Sequence, residues 1–444
     1  LQDGKDVVKR LKEAGINIVR FVYVGTDGVM RSKSAHVEHL DEMLQNGIGI
    51  TKAMQSFSTL DHLVPQPAFG PEADDVFLSP DLDTLAPVPY SPGNARVYCD
   101  LLTRDGKPWD LCPRSILKNV TKKFKDELGL IPQVACESEF YILREADGRY
   151  VPFDDSRCFS TQGYDAGNEV IQEWLRALRE MKVDVVRIIK EYGPGQYEVN
   201  LRHGDPVKAA DDFLTLKDVV KGVALNRGLR ATFMAKPFSE LAGSGLHLHM
   251  SMVDLSGRNI FYDGRDPHGL SEIGYFFVGG IKSHIGALTA IGCPTVNSYK
   301  RFRLGSWAPT HNTFGYNNRS CALRVPTIRS GLEEKGMRVE FRVPDATCNP
   351  YLLIAATLLA GLDGIKRRMD PGRPVETNAY ELKDAEPLPN NLKEALEALN
   401  KDSFMVESLG RDLVEEFIKM KEMEWDEYHS MVTDWERRSY IPIF

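Results

Sequence analysis

The chain holds 444 residues, 42% of them hydrophobic and 27% charged, with a formal net charge of −8. That acidic balance argues against a general nucleic-acid binder, and the mixture marks an ordinary globular protein long enough to bury a large core. Its seven cysteines (Cys99, Cys112, Cys136, Cys158, Cys293, Cys321, Cys348) are odd in number and lack CxxC spacing, so reduced thiols and a cytoplasmic setting are expected.

Residues 17–24 (NIVRFVYV) read as a strand, Gly25-Thr26-Asp27-Gly28 as a turn, and residues 29–33 as a second strand, a hairpin pattern. A proline-rich loop spans 79–93, followed by an apolar strand over 95–102. The polar, turn-rich stretch 104–109 then predicts a boundary between a small domain, 1–103, and a larger one, 104–444. Pro113 opens a helix (PRSILKNVTKKFKDEL), since the first helical turn tolerates proline. Strands and helices are interspersed from there on. The apolar stretch from Tyr275 to Cys293 is interrupted by Lys282, Ser283 and His284, so no membrane span is expected. Residues 352–365 predict an apolar helix, and 392–431 a run of helical segments with 3.6-residue periodicity. The fold class expected is α+β.

Three stretches set ionisable groups two residues apart within apolar, strand-like sequence: Glu137-Ser138-Glu139, His247-Leu248-His249 and Glu340-Phe341-Arg342. On a strand, residues i and i+2 share a face. Each stretch therefore presents a pair of charged or ligating groups to one side, and unpaired buried charge is costly. Glu191 and Glu198 flank a Gly193-Pro194-Gly195 turn that lets both acids converge. An oxygen-rich set with one or two imidazoles suits Mg²⁺ or Mn²⁺ better than zinc. Downstream runs a basic series: Lys300, Arg301, Arg319, Arg324, Lys335, Arg338 and Arg342. Divalent ions beside several arginines suit polyphosphate chemistry. There is no GxxxxGK[ST] loop, and no GxGxxG follows a strand.

In order along the chain, the segments ACESEFYIL (135–143), GPGQYEVN (193–200), FMAKPFSELAGSGLHLHMS (233–251), NSYKRF (297–302), NNRSCALRVP (317–326) and RVEFRVPDATCNPYL (338–352) resemble the glutamine synthetase family. The resemblance implies a β-grasp-like amino-terminal domain and a catalytic α+β domain of the glutamine synthetase/guanido kinase-like kind. It also implies a homo-oligomer of two stacked hexameric rings with sites between subunits. One metal would be held by Glu139, Glu191 and Glu198, and a second by Glu137, His247 and Glu340, a division the residues alone leave open. ATP would be met by His249, Ser251, Arg319, Arg324, Lys335 and Arg338. L-glutamate would be met by Glu139, Gly243, His247, Arg301 and Arg342, with Arg301 and Arg319 also serving catalysis. The implied reaction phosphorylates the γ-carboxylate of glutamate and condenses the acyl phosphate with an amine.

The amine half of the pattern departs from ammonia-using members. Thr51 stands where they carry an ammonium-binding aspartate, Trp307 where their flap carries a glutamate, and Ala242 where they carry an asparagine. Thr51, Met54, Phe57 and Trp307 are therefore expected to line a less polar acceptor pocket, with Thr51 and Trp307 in catalytic positions. That favours an organic monoamine over ammonium. Diamines would need an acid for the distal ammonium, for which Asp61 and Glu240 are the candidates. Two alternatives stand: an ordinary glutamine synthetase, and a catalytically silent ring. Tyr380 matches a modified tyrosine of some bacterial relatives only weakly and is expected in an exposed loop.

Overall fold

The computed structural model describes residues 4–444. Its first part comprises α1 (Gly4–Glu13), β1 (Ile18–Val24), β2 (Met30–His36), α2 (Leu40–Asn46), β3 (Ile48–Thr51), β4 (Asp75–Pro80), β5 (Ala86–Pro87) and β6 (Asn94–Leu102). These strands form one sheet in the order β2-β1-β6-β4-β3, with β5 also paired to β6. The hairpin forms as its turn residues dictate, and β1 then runs parallel to β6. The loop expected over 79–93 is partly sheet, because Ala86 is buried and pairs with Arg96. The polar stretch 104–109 folds back onto β6, with Trp109 N–H donating to Leu101 O.

The second part continues with α3 (Pro113–Leu128), β7 (Leu130–Ala146), β8 (Arg149–Pro152), α4 (Thr161–Glu180), β9 (Val185–Lys190), β10 (Gln196–Leu201), α5 (Pro206–Asn226), β11 (Arg230–Thr232) and β12 (Leu246–Asp254). Then come α6 (Glu272–Ser283), α7 (Ile285–Gly292), β13 (Phe314–Tyr316), β14 (Leu323–Val325), α8 (Glu333–Gly336), β15 (Val339–Phe341) and α9 (Pro350–Arg367). The helices α10 (Leu392–Lys401), α11 (Ser403–Leu409), α12 (Arg411–Ser430) and α13 (Asp434–Tyr440) complete the chain. The large sheet runs β13-β14-β15-β12-β7-β10-β9, with β8 and β11 also paired to β7.

Period-two alternation decides what each face of that sheet does. On β7, Val134, Cys136, Ser138 and Phe140 are buried on one side, where α5 packs, while Glu137 and Glu139 point to the other. On β12, Leu246, Leu248, Met250 and Met252 are buried likewise, leaving His247 and His249 on the opposite face. Helix α9 is buried almost all round, as its apolar sequence requires, and α5 is too, with its buried Asp211 and Asp212 paired to Arg114 and Lys208. The polar triplet at 282–284 breaks the apolar stretch into α6 and α7, and no helix among the described residues is long and apolar enough to cross a membrane.

The two sheets are joined by charge. Arg114, buried at the start of α3, donates to Asp81 (2.8 Å), Asp100 (3.0 Å) and Asp211 (2.8 Å). Farther off, the buried Glu416 of α12 accepts from Ser56 Oγ at 2.6 Å and from Ala68 N at 2.9 Å.

Candidate active site

Strand register brings the acids together. Glu198 on β10 lies opposite Glu139 on β7, His247 opposite Glu137, and His249 opposite Glu340 on β15. Carboxylate oxygens of Glu139, Glu191 and Glu198 can lie within 4.8 Å of one another. The same separation holds within Glu137–Glu198–His247 and within Glu137–His249–Glu340. The two imidazole groups share Glu137: His247 Nδ1 is 3.2 Å from its Oε1, and His249 Nε2 is 3.3 Å from its Oε2. His247 Nδ1 is also 3.6 Å from Glu340 Oε1, so Glu137, His247 and Glu340 adjoin as the resemblance implies, with His249 beside them.

Glu191 comes off the end of β9, and the turn after it is pinned from beneath. The buried Lys190 ammonium donates to Glu191 O (2.9 Å) and Gly193 O (2.7 Å), and Glu191 N–H donates to Gln196 O. A β-carbon on Gly193 would stand 2.0 Å from the Tyr141 hydroxyl oxygen, so only glycine fits there. Lys190 was not singled out from the sequence. The available signal is its place at the end of the strand-like stretch VVRIIK, immediately before Glu191 and the Gly-Pro-Gly turn.

The electrostatics divide the acids into two kinds. Burial, followed by the charge of Glu191, pushes Glu139 up to about 8. Burial, followed by Glu137, Glu139 and Glu191, pushes Glu198 up to about 10. Such a set lacks positive charge, which a divalent cation would supply. Burial would also raise Glu137, but its hydrogen bonds from His247 and His249 prevail and hold it well below the ordinary range. Glu340 is kept down at about 2 despite burial, by Arg342 and then the two histidines and Arg324. Its oxygens accept from Arg324 Nη1 at 2.6 Å and Arg342 Nη1 at 2.5 Å.

The basic residues take distinct stations. Arg338 Nε donates to His249 Nδ1 at 3.2 Å. A cavity of about 250 Å³ beside them is lined by Glu137, His249, Ser251, Lys335 and Arg338. Arg319 is exposed and makes no ion pair among the described residues. Arg301 is buried, donating to Val343 O (3.0 Å) and Pro344 O (3.2 Å). It packs so closely on Gly243 that a β-carbon there would lie 2.6 Å from Arg301 Cγ.

The flap, 304–309, is an open loop. Trp307 is 53% exposed and has φ +64°, a left-handed conformation rare for a bulky residue. The loop is tied through its backbone: Arg342 Nη2 donates to Trp307 O (3.4 Å), and the Tyr380 hydroxyl donates to Ala308 O (3.0 Å). Tyr380 is therefore half-buried and latched to the flap, contrary to the expectation of a free loop tyrosine. Its segment has polar sequence, yet its ring side meets the flap. A cavity of about 670 Å³ beside Trp307 is lined by Tyr316, Asn318, Arg319, Glu376 and Tyr380, among others.

Thr51, Met54 and Phe57 do not line that cavity in the same chain. They sit at the edge of the small sheet, where Thr51 Oγ1 accepts from Ala53 N at 3.3 Å. Asp61 is already paired to Arg31 at 3.1 Å, and Glu240 is an exposed loop residue.

Comparison with known proteins converges on one family. Residues 2–109 match the glutamine synthetase N-terminal domain, and residues 110–440 match the glutamine synthetase catalytic domain. A glutamine synthetase of Methanococcus maripaludis is 37% identical, with 99% of each chain covered. A glutamate–methylamine ligase of Methyloversatilis universalis is 36% identical (98% of each chain), and a glutamate–isopropylamine ligase of a Pseudomonas species is 34% identical (98% of this chain, 96% of the relative). A solved GmaS/ADP complex superposes with a TM-score of 0.87 at 32% identity, covering 98% of this chain and 99% of that one.

Proposed function

Because the chain belongs to the glutamine synthetase family of ATP-dependent ligases, we propose that it joins the γ-carboxylate of L-glutamate to an organic monoamine in preference to ammonium. The observation that carries the preference is the exposed Trp307 at the flap, an indole in the position where ammonia-using relatives carry a carboxylate. The names of the methylamine and isopropylamine ligases support the same reading.

In this reading Glu139, Glu191 and Glu198 hold one divalent cation and Glu137, His247 and Glu340 another, Mg²⁺ or Mn²⁺ by their oxygen-rich donors. When bound, such ions neutralise charge on phosphoryl oxygens. The protein's own groups do the rest. His249, Ser251, Arg324, Lys335 and Arg338 hold the nucleotide, and the unpaired Arg319 meets the transferring phosphoryl group. Arg301 and Arg342 orient glutamate, since a guanidinium matches a carboxylate in shape. The flap then screens the acyl phosphate from water while the amine attacks, giving a γ-glutamyl amide, ADP and phosphate. Thr51, Met54 and Phe57 would reach the site from a neighbouring subunit of a stacked-hexamer assembly. An apolar carboxy-terminal arm, with Trp435 61%, Ile441 73% and Phe444 98% exposed, supports such association.

Steady-state phosphate release with saturating ATP, glutamate and Mg²⁺ across an amine panel tests this. Organic monoamines should outpace ammonium in kcat/KM. Faster turnover with millimolar ammonium than with every organic amine would return the protein to ordinary glutamine synthetase activity. No ATP-dependent release with any acceptor would make it a silent member.

A further inference from the structure

Beside the acids stand two aromatic side chains that the fold leaves uncovered. Tyr192 is 52% exposed and Trp307 is 53% exposed. Their ring centroids lie 6.2 Å apart, with the planes tilted by 39°. They reach each other from unrelated segments. Tyr192 directly follows Glu191, on the turn pinned by Lys190, and Trp307 rides the flap. Both are held by backbone rather than by their rings. Tyr192 N–H donates to Glu191 Oε2 at 3.1 Å, and no hydrogen bond of its hydroxyl exists among the described residues. Trp307 keeps its left-handed backbone because Arg342, Tyr380 and Ser306 tie the loop around it. Two exposed aromatic rings brought together from separate segments form a contiguous patch rather than scattered single residues, and such patches mark binding surfaces.

We infer that Tyr192 and Trp307 together form the surface that binds the carbon substituent of the acceptor, an alkyl or aryl group on a primary amine. The inference rests on the organic-amine reading above and adds Tyr192 to it as a specificity-determining residue. The two π faces offer apolar contact to C–H groups and an electrostatic attraction for an alkylammonium ion. Ammonium has no carbon to bury against the pair, so the rings discriminate by what they gain from the substituent. The Tyr192 hydroxyl contributes nothing to this, because the ring face is the binding element.

Phosphate release is measured with ammonium and with the preferred organic amine in the wild-type protein and in Tyr192→Ala, Tyr192→Phe and Trp307→Ala. Tyr192→Ala should lower the kcat/KM ratio of organic amine to ammonium about tenfold, chiefly through KM for the amine. Tyr192→Phe should keep the wild-type ratio, and Tyr192→Ala should add little in a Trp307→Ala background. Melting temperatures should barely move, since both rings are more than half exposed. A wild-type preference for organic amines with an unmoved ratio in Tyr192→Ala overturns this inference alone. Loss of the ratio in Tyr192→Phe overturns it too, by assigning the effect to the hydroxyl. Wild-type preference for ammonium overturns the organic-amine reading and this inference with it.

Discussion

Glu340 and Trp307 are bridged by Arg342 yet are held in opposite ways. Glu340 is 1% exposed, sits mid-strand, and is gripped by two guanidinium groups. Trp307 is 53% exposed, sits on a loop, and is held by hydrogen bonds to the backbone around it and by contact with the exposed Tyr192 ring. The basin of acids and imidazoles is thus built from paired strands whose register fixes every side chain but Glu191, which the Lys190-pinned turn holds. The acceptor end is built from turns that a few hydrogen bonds position. Phosphoryl transfer tolerates little displacement, whereas acceptor choice can drift by changing one exposed ring.

The largest expected effect breaks the basin. Glu340→Ala removes a carboxylate shared by the imidazoles and two arginines, and should abolish turnover with ammonium and organic amines alike, by about 10²-fold or more. It should also destabilise the fold by about 3–5 kcal/mol, because two buried guanidinium groups lose their partner. Phosphate release and urea denaturation read the two effects. Selective loss with only one class of amine would erase the contrast between the two ends.

Trp307→Glu acts at the other end and should alter choice rather than chemistry. Selectivity should move toward ammonium by about tenfold, read as a ratio of kcat/KM values. Unchanged selectivity would remove Trp307 from the acceptor surface.

The smallest effect lies away from both ends and serves as their reference. His284, between α6 and α7, has Nδ1 2.6 Å from Asp402 and Nε2 3.1 Å from Asp363. Burial opposes its charge, but the hydrogen bond and charge of Asp402, then those of Asp363, raise it above its ordinary 6.5. Asp363 also carries Arg367, and Phe404 packs on the imidazole. A raised folded value means that this stabilisation is complete below pH 6.5 and is lost as pH climbs through the folded value. The urea midpoint should therefore decline over that interval, and decline less in His284→Gln. Parallel profiles for the two proteins would refute it.

The same contrast separates what residue spacing makes legible from what it does not. Glu137, Glu139, His247, His249, Glu340 and Arg342 announce themselves because side chains two apart on a strand must share a face. The convergence of Glu191 and Glu198 was visible in the Gly-Pro-Gly turn, though not the buried Lys190 that closes it. At the acceptor end no such period operates. The left-handed backbone of Trp307, the Tyr380 latch and the Tyr192 ring contact depend on loop geometry that residue spacing does not encode. The short pairing of Ala86 with Arg96 was hidden for a related reason, since two residues are too few to show a strand period.

Arg114 has a consequence that reaches past its own ion pairs. Three acids, from the loop after β4, from β6 and from α5, converge on it, and Glu416 fastens the 56–68 loop a second time. Tyr90 with Asp218 and Asn349 with Gly25 O add further ties, so the small sheet is moored to the rest of the chain at several points. Its rim, carrying Thr51, takes its reach from that mooring, so severing the Arg114 clasp would alter the protein's outline before it altered the basin of acids.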